Sequence, residues 1–108
     1  MKRGDIVLAV AAGDYGKPRP VVIVQSDLFN ETHSSLVVCL MTSDLQDAPL
    51  FRITVQPLEQ NGLQVPSQIM VDKIMALRRD KVRTQIGTLD GETMVRLNRS
   101  LMLFLGLA

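Results

Sequence analysis

Two prolines hold one arginine in the stretch Tyr15-Gly-Lys-Pro-Arg-Pro, directly ahead of the apolar run Val21-Val-Ile-Val. Proline fixes φ and biases the residue before it toward extended backbone, so Lys17 and Arg19 approach that run on a stiff segment. A guanidinium is permanently charged, and its fork of donors matches a phosphate; held in place beforehand, it loses little entropy on binding one. The same four residues would also suit a plain loop closed by a surface ion pair. A second polar site ends another apolar run, at Thr42-Ser43-Asp44. Its two hydroxyls can donate to phosphate oxygens, although these residue types also build turns. A third interrupts "SQIMVDKIMAL", residues 67–77, where Asp72 and Lys73 fall among aliphatic side chains. Alternation along a strand turns one of them inward unless the strand bulges or borders a groove. An inward carboxylate wants a cation, and Arg19 is a candidate.

Other chemistries find little support. The single cysteine, Cys39, lies inside "LVVCLMT", and the single histidine, His33, lies in the polar segment "NETHSS". The first reads as a small buried apolar residue and the second as a loop residue, so neither a thiol–imidazole pair nor a disulfide is expected. No Cys/His cluster with metal-ligand spacing is present, and no metal or cofactor is expected.

The chain has 108 residues, enough for one core, and is read as a single domain over 1–108. Apolar residues make up 46% and charged residues 21%, the balance of an ordinary folded domain. No apolar run approaches the roughly 20 residues of a membrane span, and "MKRGD" begins a poor secretory signal, so the protein is read as cytoplasmic with no membrane partner. A formal net charge of +1 hides an asymmetry: both ends are basic and residues 25–71 are acidic apart from Arg52. If the fold joins the ends, a nearly neutral protein presents a positive face to phosphate or to an acidic partner.

Five short apolar runs, residues 4–12, 19–25, 35–43, 50–57 and 67–77, are separated by Gly, Pro, Asn and Asp. In the fourth, Phe51, Ile53 and Val55 alternate with Arg52, Thr54 and Gln56, the pattern of a half-buried strand. Strands this closely spaced predict a mainly β domain with helices, a small antiparallel barrel or sandwich. A short helix is expected at "SDLFNE", capped by Ser26. In the last third, Met94, Val95, Leu97, Leu101, Met102, Phe104 and Leu105 recur at helical spacing behind Asp90, a good N-cap, and Glu92. That amphipathic helix should pack on the barrel, and the tail "LMLFLGLA" suggests a dimer contact.

"RGDIVLAV", "GKPRPVVIV", "VVCLMTS" and "VPSQIMVDKIMAL", followed by a terminal amphipathic helix, together resemble the MazF/PemK (Kid) toxin family from Arg3 to Leu105. The resemblance implies a small SH3-like barrel of the MazF/PemK–CcdB type, forming a homodimer. It implies the toxin of a type II toxin–antitoxin system, an mRNA interferase that cleaves single-stranded RNA at short sequences without a metal. Attack by the 2′-hydroxyl leaves a 2′,3′-cyclic phosphate and a 5′-hydroxyl. By that resemblance Arg19 and Thr42 match the catalytic arginine and hydroxyl, and Asp72 matches an acidic position beside the RNA groove, as base or as the holder of Arg19. Lys17, Ser43, Ser67, Gln68 and Lys73 are expected to bind RNA, with Tyr15 either stacking a base or anchoring its loop. A cognate antitoxin with an acidic disordered tail is the implied partner. The sequence departs from the family in its short first loop, "AAGDYGKP", and in Leu40-Met41 where relatives often carry a proline before the T-S pair. Features of the tail and of "VQSD" are also similar to CcdB, so a gyrase-poisoning toxin is the alternative, although the chain has no Trp. A barrel acting only as an interaction module is the third reading.

Overall fold

The computed structural model describes residues 1–107. Strands β1 (Asp5–Ala9), β2 (Arg19–Ile23), β3 (Ser35–Thr42), β4 (Arg52–Val55) and β5 (Ser67–Arg78) fall within a residue or three of the five apolar runs. Helix α1 (Asp27–Asn30) separates β2 from β3, and Ser26 Oγ accepts from Leu28 N, the expected cap. A sixth strand, β6 (Val82–Thr88), went unread in the sequence. Its centre is Arg83-Thr84-Gln85, all exposed, so it lacks the apolar signal of its neighbours. Helix α2 (Gly91–Leu105) closes the chain; Asp90 caps it by accepting from Thr93 N, and Gly106 ends it in the left-handed conformation.

All six strands form one antiparallel sheet in the order β4-β5-β3-β2-β1-β6. The expected barrel is therefore not closed by a hydrogen-bonded ladder: β4 and β6 are its two edges. It is nevertheless rolled. The end of β5 joins the start of β6 through a 3₁₀ turn of three residues, Arg79–Lys81. That connector reaches at most about 14 Å, whereas four strand spacings in a flat sheet are about 19 Å. The sheet must curl to bring the two together. At the open seam the segment before β5 crosses β6, with Thr88 N donating to Gln60 O at 3.0 Å. The crossing is tight enough to need glycine on both sides. A Cβ on Gly62 (φ +70°) would strike the Ile86 carbonyl, and one on Gly87 the Asn61 backbone.

Rolling gives the sheet two apolar faces. Val7, Ala9, Val21, Ile23, Leu36, Val38 and Leu77 form the core on one face, most of them with no exposed surface. Ile6, Val22, Cys39, Met41, Ile53, Ile69 and Val71 pack on the other face with Leu97 and Leu101 of α2 and Leu63 of the crossing segment. Burying one Val or Ile side chain contributes about 1.5–3 kcal/mol before chain entropy, so both faces are needed by a domain this small. The N-terminus is tied to α2: Arg3 Nη1 donates to Asn98 Oδ1 at 2.7 Å, and Nε donates to Val24 O at 2.7 Å. The two basic ends of the chain thus lie side by side.

Helix α2 departs from expectation. Only Leu97 and Leu101 of its predicted apolar set are buried, with Thr93 and Ser100 beside them, while Met94 is half-buried. Val95, Met102, Leu103, Phe104 and Leu105 stay about half exposed, because only one side of the helix packs on the sheet. Among the described residues no helix is long and apolar enough to cross a membrane.

Candidate active site

The stiff approach to β2 does what its prolines suggest: Arg19 enters the sheet opposite Ala9 of β1. On its other side β2 pairs with β3 through Val21↔Leu40, Val22↔Cys39 and Ile23↔Val38. Continued two residues, that register sets Arg19 opposite Thr42. Pro20 has no N–H to extend the ladder there, which leaves the strand ends open. Thr42 in turn faces Gln68 of β5, and Gln68 faces Thr54 of β4. Thr54, Gln68, Thr42 and Arg19 therefore form one polar row across four strands. By alternation they lie on one face of the sheet, the face that also carries Val21, Ile23 and Val38.

A second, unforeseen residue completes Arg19. In the loop after β1, Gly13 (φ +89°), Tyr15 (φ +53°) and Gly16 (φ +79°) are all left-handed, and the chain doubles back. The turn presents Asp14, whose Oδ2 stands 3.1 Å from Arg19 Nε as an ion pair without hydrogen-bond alignment. The contact neutralises charge and holds the guanidinium near the loop, while Arg19 makes no hydrogen bond that would use up its donors. The short loop carries the clue: an aspartate between two glycines, five residues before the arginine. Tyr15 is 98% exposed, so it anchors nothing, and its ring is free to stack. Lys17 is exposed beside it.

Thr42 Oγ1 accepts from Asp44 N at 3.1 Å, a turn at the end of β3. The bond uses a lone pair of the hydroxyl and leaves its proton to donate elsewhere. Ser43 is exposed. Ser67 is buried, and its hydroxyl donates to Val65 O at 3.0 Å. On the opposite face of the sheet from the polar row lies a cleft of about 350 Å³ lined by Thr42, Ser43 and Ser67, by Leu8, Pro20 and Met41, and by the segment 62–65.

Two expectations are corrected. Asp72 does not meet Arg19; its carboxylate takes a two-pronged grip from Arg52, Nε to Oδ1 at 2.9 Å and Nη2 to Oδ2 at 3.2 Å. The reason is a bulge. Cys39 pairs with Ile74, and Leu40 with Met70, so Val71, Asp72 and Lys73 have no counterparts on β3. The bulge turns Asp72 toward β4 and leaves Lys73 exposed. The hydrogen bonds from Arg52 hold the Asp72 carboxyl below the usual carboxylate range, which makes it a poor base. Gln68 is the other correction: it is buried, its amide donates to Gln46 O at 2.8 Å and Thr54 Oγ1 at 3.2 Å, and its carbonyl accepts from Gln46 N at 3.0 Å. With both amide protons committed, Gln68 holds the loop after β3 rather than reading a base.

The remaining candidates stay apart. Cys39 is fully buried and desolvation pushes its thiol up to about 12, while His33 is exposed and its carbonyl is bound by Arg79. Among the described residues no group of three or more His, Cys, Asp or Glu is arranged to hold a metal ion.

A "Probable endoribonuclease MazF" of Mycolicibacterium smegmatis is 47% identical over 109 residues, covering 100% of this chain and 99% of that protein. "Endoribonuclease EndoA" of Bacillus subtilis is 27% identical over 99% of this chain and 96% of its own length. Among solved structures, an "Endoribonuclease in complex with its cognate antitoxin from Mycobacterial species" superposes with a TM-score of 0.85 at 20% identity, covering 100% of this chain and 97% of that one. "Mycobacterium tuberculosis toxin MazF-mt6" superposes with a TM-score of 0.83 at 21% identity, covering 96% of this chain and 98% of that one. The profile of the PemK-like, MazF-like toxins of type II toxin–antitoxin systems matches residues 2–105, and the chain belongs to that family.

Proposed function

We propose that this toxin is an endoribonuclease that cuts single-stranded RNA without a metal, by attack of a ribose 2′-hydroxyl on the adjacent phosphate, and that Arg19 and Thr42 bind that phosphate. The observation that carries the reading is the β2–β3 register, which, extended past its last pair, brings Arg19 and Thr42 to neighbouring strand ends on one face. Cleavage needs the 2′-hydroxyl deprotonated, the charge on the pentacoordinate phosphorus stabilised, and the departing 5′-oxygen protonated. Arg19, drawn toward Asp14 by its ion pair, offers its donors to the phosphoryl oxygens and suits the second task. Thr42 donates its free hydroxyl proton to the same group. A guanidinium is a poor base but a competent donor to the leaving oxygen. Asp72, bound to Arg52, braces the strands beside the site.

Lys17, exposed Tyr15 and Ser43 flank the phosphate site and extend the contact to neighbouring nucleotides; Lys73, exposed at the bulge, adds charge for the backbone. A 2′-hydroxyl requirement restricts cutting to RNA. Endoribonuclease names among the relatives favour this reading over gyrase poisoning.

The toxin acts in the cytoplasm as a homodimer. Support comes from the apolar residues at the end of α2 that stay about half exposed, Met102, Leu103, Phe104 and Leu105, with Leu107 beyond them. An exposed apolar patch of this kind suits a symmetric contact. A cognate antitoxin with an acidic disordered tail covers Arg19 and blocks the site, as complexes of related toxins with antitoxins suggest.

One experiment tests the whole. Wild type and Arg19→Ala are expressed, and new RNA 5′ ends are mapped. Cutting by the wild type alone, lost when the attacking nucleotide is 2′-deoxy, is expected; cutting of the deoxy-substituted strand defeats the mechanism.

A further inference from the structure

We infer that the groove between α2 and the start of β4 is a docking site for an acidic peptide segment of a partner protein, separate from the proposed phosphate site. The segment it fits carries carboxylates and aliphatic side chains in alternation. Arg96 and Arg99 form one wall of the groove. They lie three residues apart on α2, so their side chains start about 5–6 Å from each other on one side of the helix. Both are exposed, and among the described residues neither has an ion pair or a side-chain hydrogen bond. Every other arginine has such a partner: Arg19, Arg52 and Arg78 an aspartate, Arg3 the Asn98 amide, Arg79 the His33 carbonyl and Arg83 the Asp80 carbonyl. Two like charges side by side weaken a helix rather than support it. A pair of guanidinium forks without a counter-ion, lining one groove, points to an anionic ligand.

The rest of the groove is apolar. Pro49, Leu50 and Ile53 line it from the β4 side, and Leu103 continues the arginine row one turn on. Leu50 is 65% exposed and Leu103 56%, so the apolar part lies open to solvent. It is also held in shape: Ser100 Oγ donates to Leu50 O, Phe51 N and Arg52 N both donate to Ala48 O, and the Phe51 and Phe104 rings stand 6.2 Å apart. A volume of about 230 Å³ takes side chains rather than a folded domain. An extended peptide turns successive side chains to opposite sides. Glutamates on one side then meet the guanidinium forks, and leucines on the other cover Pro49 and Leu50. Two other occupants fit less well. A second copy docked here about a two-fold axis sets its own Arg96 and Arg99 against these, and like charges repel. Met102 and Leu105, which suit a symmetric contact, line a different groove with Arg3 and Asn98 on the far side of α2. Single-stranded RNA wants rings to stack on, and none lines this groove. The groove also opens on the α2 face of the sheet, with Ile53, whereas Arg19 and Thr42 lie on the other face, with Val21 and Val38.

The test follows the fluorescence anisotropy of a short labelled peptide of alternating Glu and Leu as the full chain is added. Control peptides replace Glu by Gln, or Leu by Ser. The Glu-Leu peptide should bind saturably, about tenfold or more tighter than either control, and more weakly as salt is raised. Arg96→Glu combined with Arg99→Glu should lower that affinity about tenfold or more, and Leu50→Ser should lower it several-fold. All three positions are exposed, so the variants should melt with the wild type and cut RNA at its rate. Arg83→Glu, at an exposed arginine on β6, should bind the peptide as the wild type does. Absence of saturable binding, equal binding of the Gln-Leu peptide, or an equal loss in Arg83→Glu overturns the inference. So does loss of RNA cutting in the double variant, or displacement of the bound peptide by uncleavable RNA, 2′-deoxy at the attacking nucleotide; either result makes the groove part of the RNA path. If the wild type cuts nothing, only the endoribonuclease reading fails, because peptide binding is read without it.

Discussion

Asp14 and Arg19 form an ion pair: the carboxylate stands 3.1 Å from Nε without an aligned hydrogen bond, and it draws the guanidinium toward the loop after β1. Arg19→Ala should lower RNA cleavage by about 10²–10³-fold, the scale of a removed charge-stabilising donor. Its melting temperature should fall by no more than about 4 °C, because a partly exposed ion pair contributes about 0–1 kcal/mol. Arg19→Lys should restore charge but little activity, since an ammonium lacks the fork. Asp14→Asn should reduce turnover more than it weakens RNA binding. Cleavage assays beside thermal melts check all three variants.

Thr42 invites a paired substitution. Thr42→Ser keeps the hydroxyl that accepts from Asp44 N and donates to phosphate, and it should stay within a few fold of wild type. Thr42→Val keeps the shape and loses the donor, and should cost about tenfold or more in turnover. Single-turnover kinetics on one mapped site separates the two. Equal activity would remove Thr42 from the chemistry.

Asp72 makes a prediction about pH. Its carboxyl titrates below its unfolded range, chiefly because Arg52 hydrogen-bonds the charged form. A depressed carboxylate stabilises the fold above its unfolded pKa of about 3.9, and that contribution is lost as pH falls through the folded value. The wild type should therefore weaken below about pH 4. Asp72→Asn should be less stable at pH 7 by roughly 1–3 kcal/mol, since nearly buried Arg52 loses its charged partner, and should lose less on acidification. Urea unfolding at pH 7 and pH 3 measures both, and an unchanged acid dependence would refute the assignment.

Cys39 should be chemically silent. Burial pushes its thiol up to about 12, so almost no thiolate exists at neutral pH. Thiol reagents should label it only as fast as the protein unfolds, and Cys39→Ala should cut RNA at the wild-type rate. Rapid labelling of folded protein would contradict the core placement.

Features that depend on near neighbours in the chain were readable. Ser26 and Asp90 cap their helices because a cap reaches only two or three residues ahead. The five apolar runs became strands because alternation and turn residues are local signals. The bulge at Asp72 and Lys73 was one of the outcomes that their positions allowed. Strand β6 was not readable, because an edge strand with one solvated side carries few apolar residues.

Pairing lay beyond reach of the sequence. Its residues announced a cation held by prolines and a carboxylate in an apolar strand, but not which partner each would take. Asp72 went to Arg52 because a three-residue bulge turned it toward β4, and Arg19 went to Asp14 because three left-handed residues folded the loop back. Gln68 was drawn inward because burial demands that both its amide protons be satisfied. Side-chain chemistry and local periodicity are written residue by residue; register, curl and burial arise only when strands distant in the chain share one sheet, and they decide which charges are left free to act.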